Sequence, residues 1–118
     1  MEKASKDSVE LAKVLEFKKA KNLLVLDVSA LTPIADFFVI VSSESFVHSK
    51  ALEDYAVEFL EKLGYKRVNS ANIFAENPWI LLDYGSIIVH IFKEDARGYY
   101  ELEKLWHSAK KVYQALEK

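Results

Sequence analysis

Few residues in this chain are of the kinds that make or break bonds, and their spacing argues against the reactions they could serve. His48, His90 and His107 lie far apart, without the close repeat of a metal-ligand set, and there is no Cys to complete one. The absence of Cys also removes disulfides and thiolate nucleophiles. Ser42, Ser43 and Ser45 sit together, but no G-x-S-x-G elbow surrounds them, and helix capping is their plainer use. Asp27 and Asp36 are carboxylates that could hold a metal for phosphoryl transfer, yet a D-x-D pair on one strand is missing. With three Gly in all, the chain has neither a G-x-G-x-x-G turn nor a phosphate-binding loop. No catalytic residue, metal ligand or cofactor is expected, and the chain reads as a protein that is not an enzyme.

The polar points that remain are those of the stretch Trp79 to Phe92, WILLDYGSIIVHIF. It is almost continuously apolar but carries Asp83, the Tyr84-Gly85 step, Ser86 and His90. Gly85-Ser86 suits a two-residue hairpin turn with Gly first. Pairing about that turn sets Tyr84 against Ile87, Asp83 against Ile88, Leu82 against Val89, Leu81 against His90, Ile80 against Ile91 and Trp79 against Phe92. One face of the hairpin is then Ile80, Leu82, Tyr84, Ile87, Val89 and Ile91, a core face. The other is Trp79, Leu81, Asp83, Ile88, His90 and Phe92. A turn at Tyr84-Gly85 would shift this register. Two readings of the second face stand side by side. It is covered by the protein's own later segment, where Tyr99, Leu105 and Trp106 need somewhere to pack, or it is an interface of aromatic anchors and a few charges. His90 is open in the same way, between a strand His satisfied locally and a contact to a partner.

The elements that must position this hairpin follow from periodicity. Asp7-Ser8-Val9-Glu10 has capping-box spacing, and Leu11, Val14, Leu15 and the stem of Lys18 follow at helical intervals, so a helix is expected from about Ser8 to Lys21. Leu23 to Val28 and Asp36 to Ser42 read as short buried strands, joined by a connection containing Pro33. A second helix is expected from about Phe46 to Leu63, with Gly64 as its C-terminal stop. Tyr65 to Val68 could begin a strand, and Asn69 to Pro78 is a loop. After the hairpin, Lys93 to Trp106 reads as a turn or short helix, and a further helix is expected toward Leu116. A strand that returns to the sheet over a helix pairs in parallel, whereas the hairpin is antiparallel. The fold class is therefore α/β, a mixed β-sheet with flanking helices.

The totals agree with one domain over residues 1–118, the segment 107–118 forming a helical extension. Hydrophobic residues make up 51% and charged residues 29%, a globular composition. The net charge of −2 lacks the basic excess of a protein held mainly by phosphates, so little direct nucleic-acid binding is expected and a basic protein is a suitable partner. The N-terminus MEKASKDSVEL has no apolar core of a signal peptide, and no apolar run is long enough to span a membrane. The expectation is a cytoplasmic protein with no membrane association.

Trp79-Ile80-Leu81-Leu82-Asp83-Tyr84-Gly85 followed by Ile88-Val89-His90-Ile91-Phe92 resembles the signature W-x-L-L-D-Y-G-x-x-x-V-H-I-F of the ribosomal silencing factor (Iojap) family. Upstream, Leu26-Asp27-Val28 and Ala35-Asp36-Phe37-Phe38-Val39-Ile40 resemble its L-D-V and I-A-D-Y-F-V-I segments. Downstream, Arg97-Gly98-Tyr99-Tyr100-Glu101-Leu102-Glu103-Lys104-Leu105-Trp106 resembles its R-x-Y-Y-x-L-E-x-L-W segment. The resemblance runs from about Leu11 to Trp106. It departs at Ser43-Glu44, where the family commonly has a Gly, and at Ser86, where an acid is frequent. It implies a nucleotidyltransferase-like topology without the catalytic carboxylate motif. It also implies binding to protein fourteen of the large ribosomal subunit, a block to subunit joining that represses translation under nutrient limitation, and a role in large-subunit maturation. Motif and alternation together make Trp79, Leu81, Asp83, Tyr84 and His90 the partner-binding residues. The competing expectations are a nucleotidyltransferase-like nucleotide-binding domain and a homodimerising module, and a homodimer is compatible with the ribosomal reading.

Overall fold

The structure is a computed structural model that describes residues 2–70, 74–97 and 106–115. Helix α1 (Glu2–Phe17) leads into strands β1 (Lys21–Asp27) and β2 (Phe37–Ser43). Helix α2 (Phe46–Lys62) follows, then β3 (Trp79–Asp83), β4 (Ile87–Lys93) and β5 (Lys110–Ala115). The five strands form one sheet in the order β3-β4-β2-β1-β5. The β2–β4 pair, joined across α2, is parallel, and the other three pairs are antiparallel. This is the mixed α/β sheet that the patterning requires.

Both helices pack on one face of the sheet. Leu11 and Leu15 of α1 and Leu52, Ala56 and Leu60 of α2 share a core with Val39, Val89 and Leu82. The opposite face carries a second core of Leu24, Leu26, Phe38, Ile40 and Phe92, against which Trp79 and Trp106 pack. A central strand thus buries both faces, which is why β2 is buried along its whole length.

The helix ends differ from the periodic reading at one helix and agree at the other. α1 begins at Glu2 rather than Ser8, because Asp7 is not a cap. Its carboxylate accepts from Lys3 Nζ at 2.9 Å, one turn back, and from the Tyr65 hydroxyl at 2.7 Å. α1 stops at Phe17, short of Lys21, because Lys19 takes a left-handed φ of 74°. The Ala20 amide then bonds the Leu15 carbonyl and the Lys19 amide that of Glu16, a Schellman ending. α2 ends the same way around Gly64, whose φ is 95°. At its start Ser45 accepts the His48 amide at 3.0 Å, as an N-cap does.

Two other expectations need correction. The segment 107–118 is not a helical extension: residues 110–115 form β5, pairing with β1 from Leu23↔Ala115 to Asp27↔Lys110. Without it β1 would be an unpaired apolar edge, and pairing prevails over the local helix preference of this segment. Tyr65 to Val68 forms no strand, although the Val68 amide bonds the Asp83 carbonyl at 2.7 Å. The part of the expected helix between residues 98 and 105, with Tyr99 and Leu105, lies outside the described residues.

Candidate partner-binding edge

The hairpin forms with the register that its turn dictates, from Trp79↔Phe92 to Asp83↔Ile88. The Tyr84 amide bonds the Ile87 carbonyl at 2.9 Å, and Gly85 supplies the positive φ, 79°, that the turn needs. β3 is one of the two edge strands of the sheet, on a rim of the molecule.

The five residues read from the sequence separate here into three at the surface and two below it. Leu81 is 38% exposed at the middle of β3, between buried Ile80 and Leu82. Trp79 and Asp83, on the same face, are half-buried and flank it. The Asp83 carboxylate has a structural use as well: Oδ1 accepts the Gly85 amide at 2.9 Å and closes the turn.

Tyr84 points the other way, into the core under the helices, and is 3% exposed. Its hydroxyl donates to Glu61 Oε2 of α2 at 2.8 Å. Burial and that bond push the phenol up to about 12. It cannot donate to a docked partner without leaving the core, so it is corrected from a contact to a support. The alternation already assigned it to the core face.

His90 is 4% exposed and is also a support rather than a contact. Its ring lies 4.7 Å from that of Phe38 and 5.9 Å from that of Trp79. Phe38 in turn meets Trp106 at 5.1 Å. Nδ1 accepts the Trp79 indole N–H at 3.2 Å, which puts the imidazole proton on Nε2. Nε2 has no partner among the described residues. Burial alone drives the imidazole down to about 3, so His90 is neutral at physiological pH. Of the two readings of this face, coverage by the protein's own later segment holds for part of it. Trp106 and Ala109 cover its inner portion, and β3 leaves its outer portion open.

The remaining polar candidates are structural. Asp27 Oδ1 accepts both the Ser29 hydroxyl at 2.6 Å and the Ser29 amide at 3.0 Å, which hold its carboxyl below the ordinary range. Ser43 bonds Ser49, both buried. His48 accepts the Glu44 amide on Nδ1 and reaches the Lys18 carbonyl with Nε2 at 2.9 Å, tying the start of α2 to the end of α1. Among the described residues, no three His, Asp or Glu side chains gather where they could hold a metal ion, and no helix is long and apolar enough to cross a membrane.

The sequence reading missed what lies along the outer side of β3. Arg67 and Asn69, in the segment after α2, bond its exposed backbone. Loop residues of this kind have no periodicity, so only the need to close an edge strand could have pointed to them.

A family model described as ribosomal silencing factor during starvation matches residues 2–118. A ribosomal silencing factor of Bacillus subtilis (strain 168) is 35% identical over 92 residues, which span 78% of this chain and 77% of that protein. A mouse protein named for mitochondrial assembly of the ribosomal large subunit is 31% identical over 98 residues, 81% of this chain but 43% of its own. A crystal structure of a Chromobacterium violaceum protein superposes with a TM-score of 0.77 at 30% identity, covering 99% of this chain and 93% of that one.

Proposed function

The chain belongs to the ribosomal silencing factor family, and from that premise we propose that it binds protein fourteen of the large ribosomal subunit through β3 and keeps the small subunit off by bulk. The observation that supports this reading is Leu81, exposed on this edge strand between half-buried Trp79 and Asp83, in the run that carries the family signature. Leu81 and the edge of Trp79 supply apolar anchoring, and the Asp83 carboxylate meets a basic side chain of the ribosomal protein. Tyr84 and His90 act from beneath by fixing the hairpin to α2 and to the aromatic stack.

Repression in this form needs no bond making. A standard interface takes about 800 Å² from each partner, roughly an eighth of the 6789 Å² surface of this chain. The rest of a body measuring 32 × 31 × 24 Å overall then stands in the space where a second subunit would dock. A net charge of −2 favours a basic protein epitope over the surrounding RNA.

Purified large and small subunits sedimented with and without the protein test the proposal. The joined particle is expected to diminish as the protein is added, with the protein retained on the large subunit. Leu81→Glu and Asp83→Asn should each weaken retention by about tenfold, a loss of roughly 1.4 kcal/mol. Asn at position 83 still accepts the turn amide, so that variant isolates the charge. Joining that proceeds undiminished with the large subunit saturated would refute exclusion by bulk.

A further inference from the structure

An outermost strand has outward N–H and C=O groups with no neighbouring strand to pair them. On β3 these belong to Trp79, Leu81 and Asp83, since Ile80 and Leu82 face β4. The Asn69 side chain meets two of them. Its Nδ2 donates to the Leu81 carbonyl at 2.8 Å, and its Oδ1 accepts the Asp83 amide at 3.0 Å. A residue of a parallel strand opposite Leu82 would make the same two bonds. The Val68 amide extends the imitation to the Asp83 carbonyl at 2.7 Å.

The carboxamide is itself held. Arg67 Nε donates to Asn69 Oδ1 at 3.1 Å, and Nη2 reaches the Ser70 carbonyl at 3.2 Å and the Leu81 carbonyl at 3.4 Å. Behind it, Arg67 Nη1 lies 3.7 Å from Glu53 Oε2, an acid on α2 that is 2% exposed. A line of charge and hydrogen bonding therefore runs from the helix layer, through Arg67 and Asn69, to the backbone on either side of Leu82.

We propose that Asn69 is a positioning residue of the docking surface: its carboxamide stands in for the strand that β3 lacks and fixes the edge on which Leu81 and Asp83 are carried. This rests on the reading of β3 as the docking edge. The bonds also occupy the Leu81 carbonyl and both backbone groups of Asp83, which an incoming strand would need, so the partner meets side chains here rather than backbone.

The test combines amide hydrogen exchange with retention on isolated large subunits, for the wild-type protein, Asn69→Leu, Asn69→Asp and Leu81→Glu. In the wild type, the Asp83 amide and the Asn69 carboxamide proton bonded to the Leu81 carbonyl should exchange slowly. Asn69→Leu removes both bonds, so Asp83 exchange should speed up and retention fall about fivefold to tenfold, with core amides such as Val39 and Val89 unchanged. Asn69→Asp keeps the acceptor for Asp83 but faces the Leu81 carbonyl with an oxygen, so it should protect Asp83 and still weaken retention. If both Asn69 variants bind as wild type while Leu81→Glu does not, the positioning role is wrong and the docking edge stands. If all three bind as wild type, both fall. Should Asn69→Leu fail to fold, rapid exchange of that bonded Asn69 carboxamide proton in the wild type, or full retention by Asn69→Asp, overturns the proposal.

Discussion

Tyr84 and His90 lie in the same signature as Leu81, yet burial gives them different consequences when changed. Tyr84→Phe removes the bond to Glu61, and Glu61 is exposed and free to turn to water. The expected cost is about 1 kcal/mol in denaturant unfolding, with a smaller loss of retention on large subunits than Leu81→Glu causes. For His90 the expectation concerns pH. Its ordinary value of 6.5 applies to the unfolded chain and about 3 to the folded one. Above pH 6.5 both states are neutral there and stability is full. As pH falls below that, the unfolded chain takes up a proton that the folded one refuses, so stability drops by about 1.4 kcal/mol per pH unit toward pH 3. Denaturant midpoints from pH 7 to 4 should show this limb, and His90→Gln, which keeps an acceptor for Trp79, should lose most of it. The two faces of the hairpin were legible in the residues, because a Gly-first turn and strict alternation fix which side chains share a face. Burial of His90 was not, since it depends on Phe38 and Trp106, far away in the chain.

Both helices end in the same backbone motif, built on different residues. Gly64 holds φ 95° with nothing within 4 Å of an added Cβ, so Gly64→Ala is resisted by the backbone alone and should cost about 1 kcal/mol or somewhat more. Lys19 occupies the equivalent place in α1 at φ 74°. Lys19→Gly should therefore stabilise by up to about 1 kcal/mol, read as a higher midpoint with an unchanged denaturant slope. The stop of α2 was legible because Gly64 followed the apolar stripe. The stop of α1 was not, because a Lys gives no such signal. β5 was missed for a similar reason. As an edge strand beside β1 it needs only one row of inward contacts, such as Val112 and Tyr113, and its remaining residues fit a helix equally well.

Charge decides the behaviour of the whole molecule in salt. A protein held by six to ten phosphates loses about a thousandfold or more in affinity between roughly 50 and 200 mM salt. With a net charge of −2 and a docking edge whose charged member is Asp83, this protein should lose only about tenfold or less over that range. Retention on large subunits across a salt series measures it, and a steep dependence would point to rRNA as the main contact. That balance was legible in composition. Where the open surface lies was not, because it depends on which half of a sheet face the distant Trp106 covers.

The order of strands in space has a further consequence for how the molecule is made. The neighbouring strands β1 and β2 are the first to be synthesised, and the strands that flank them, β5 and β4, come last. While the chain is growing, the early pair has both long sides unpaired, and its greasy residues await partners not yet translated. The sheet can close only once residues 110–115 are clear of the ribosome that is producing them. Such late, sequence-distant closure slows assembly and leaves a sticky intermediate. A member of a ribosome-silencing family thus reaches its working shape only once its last described strand has emerged from the ribosome that makes it.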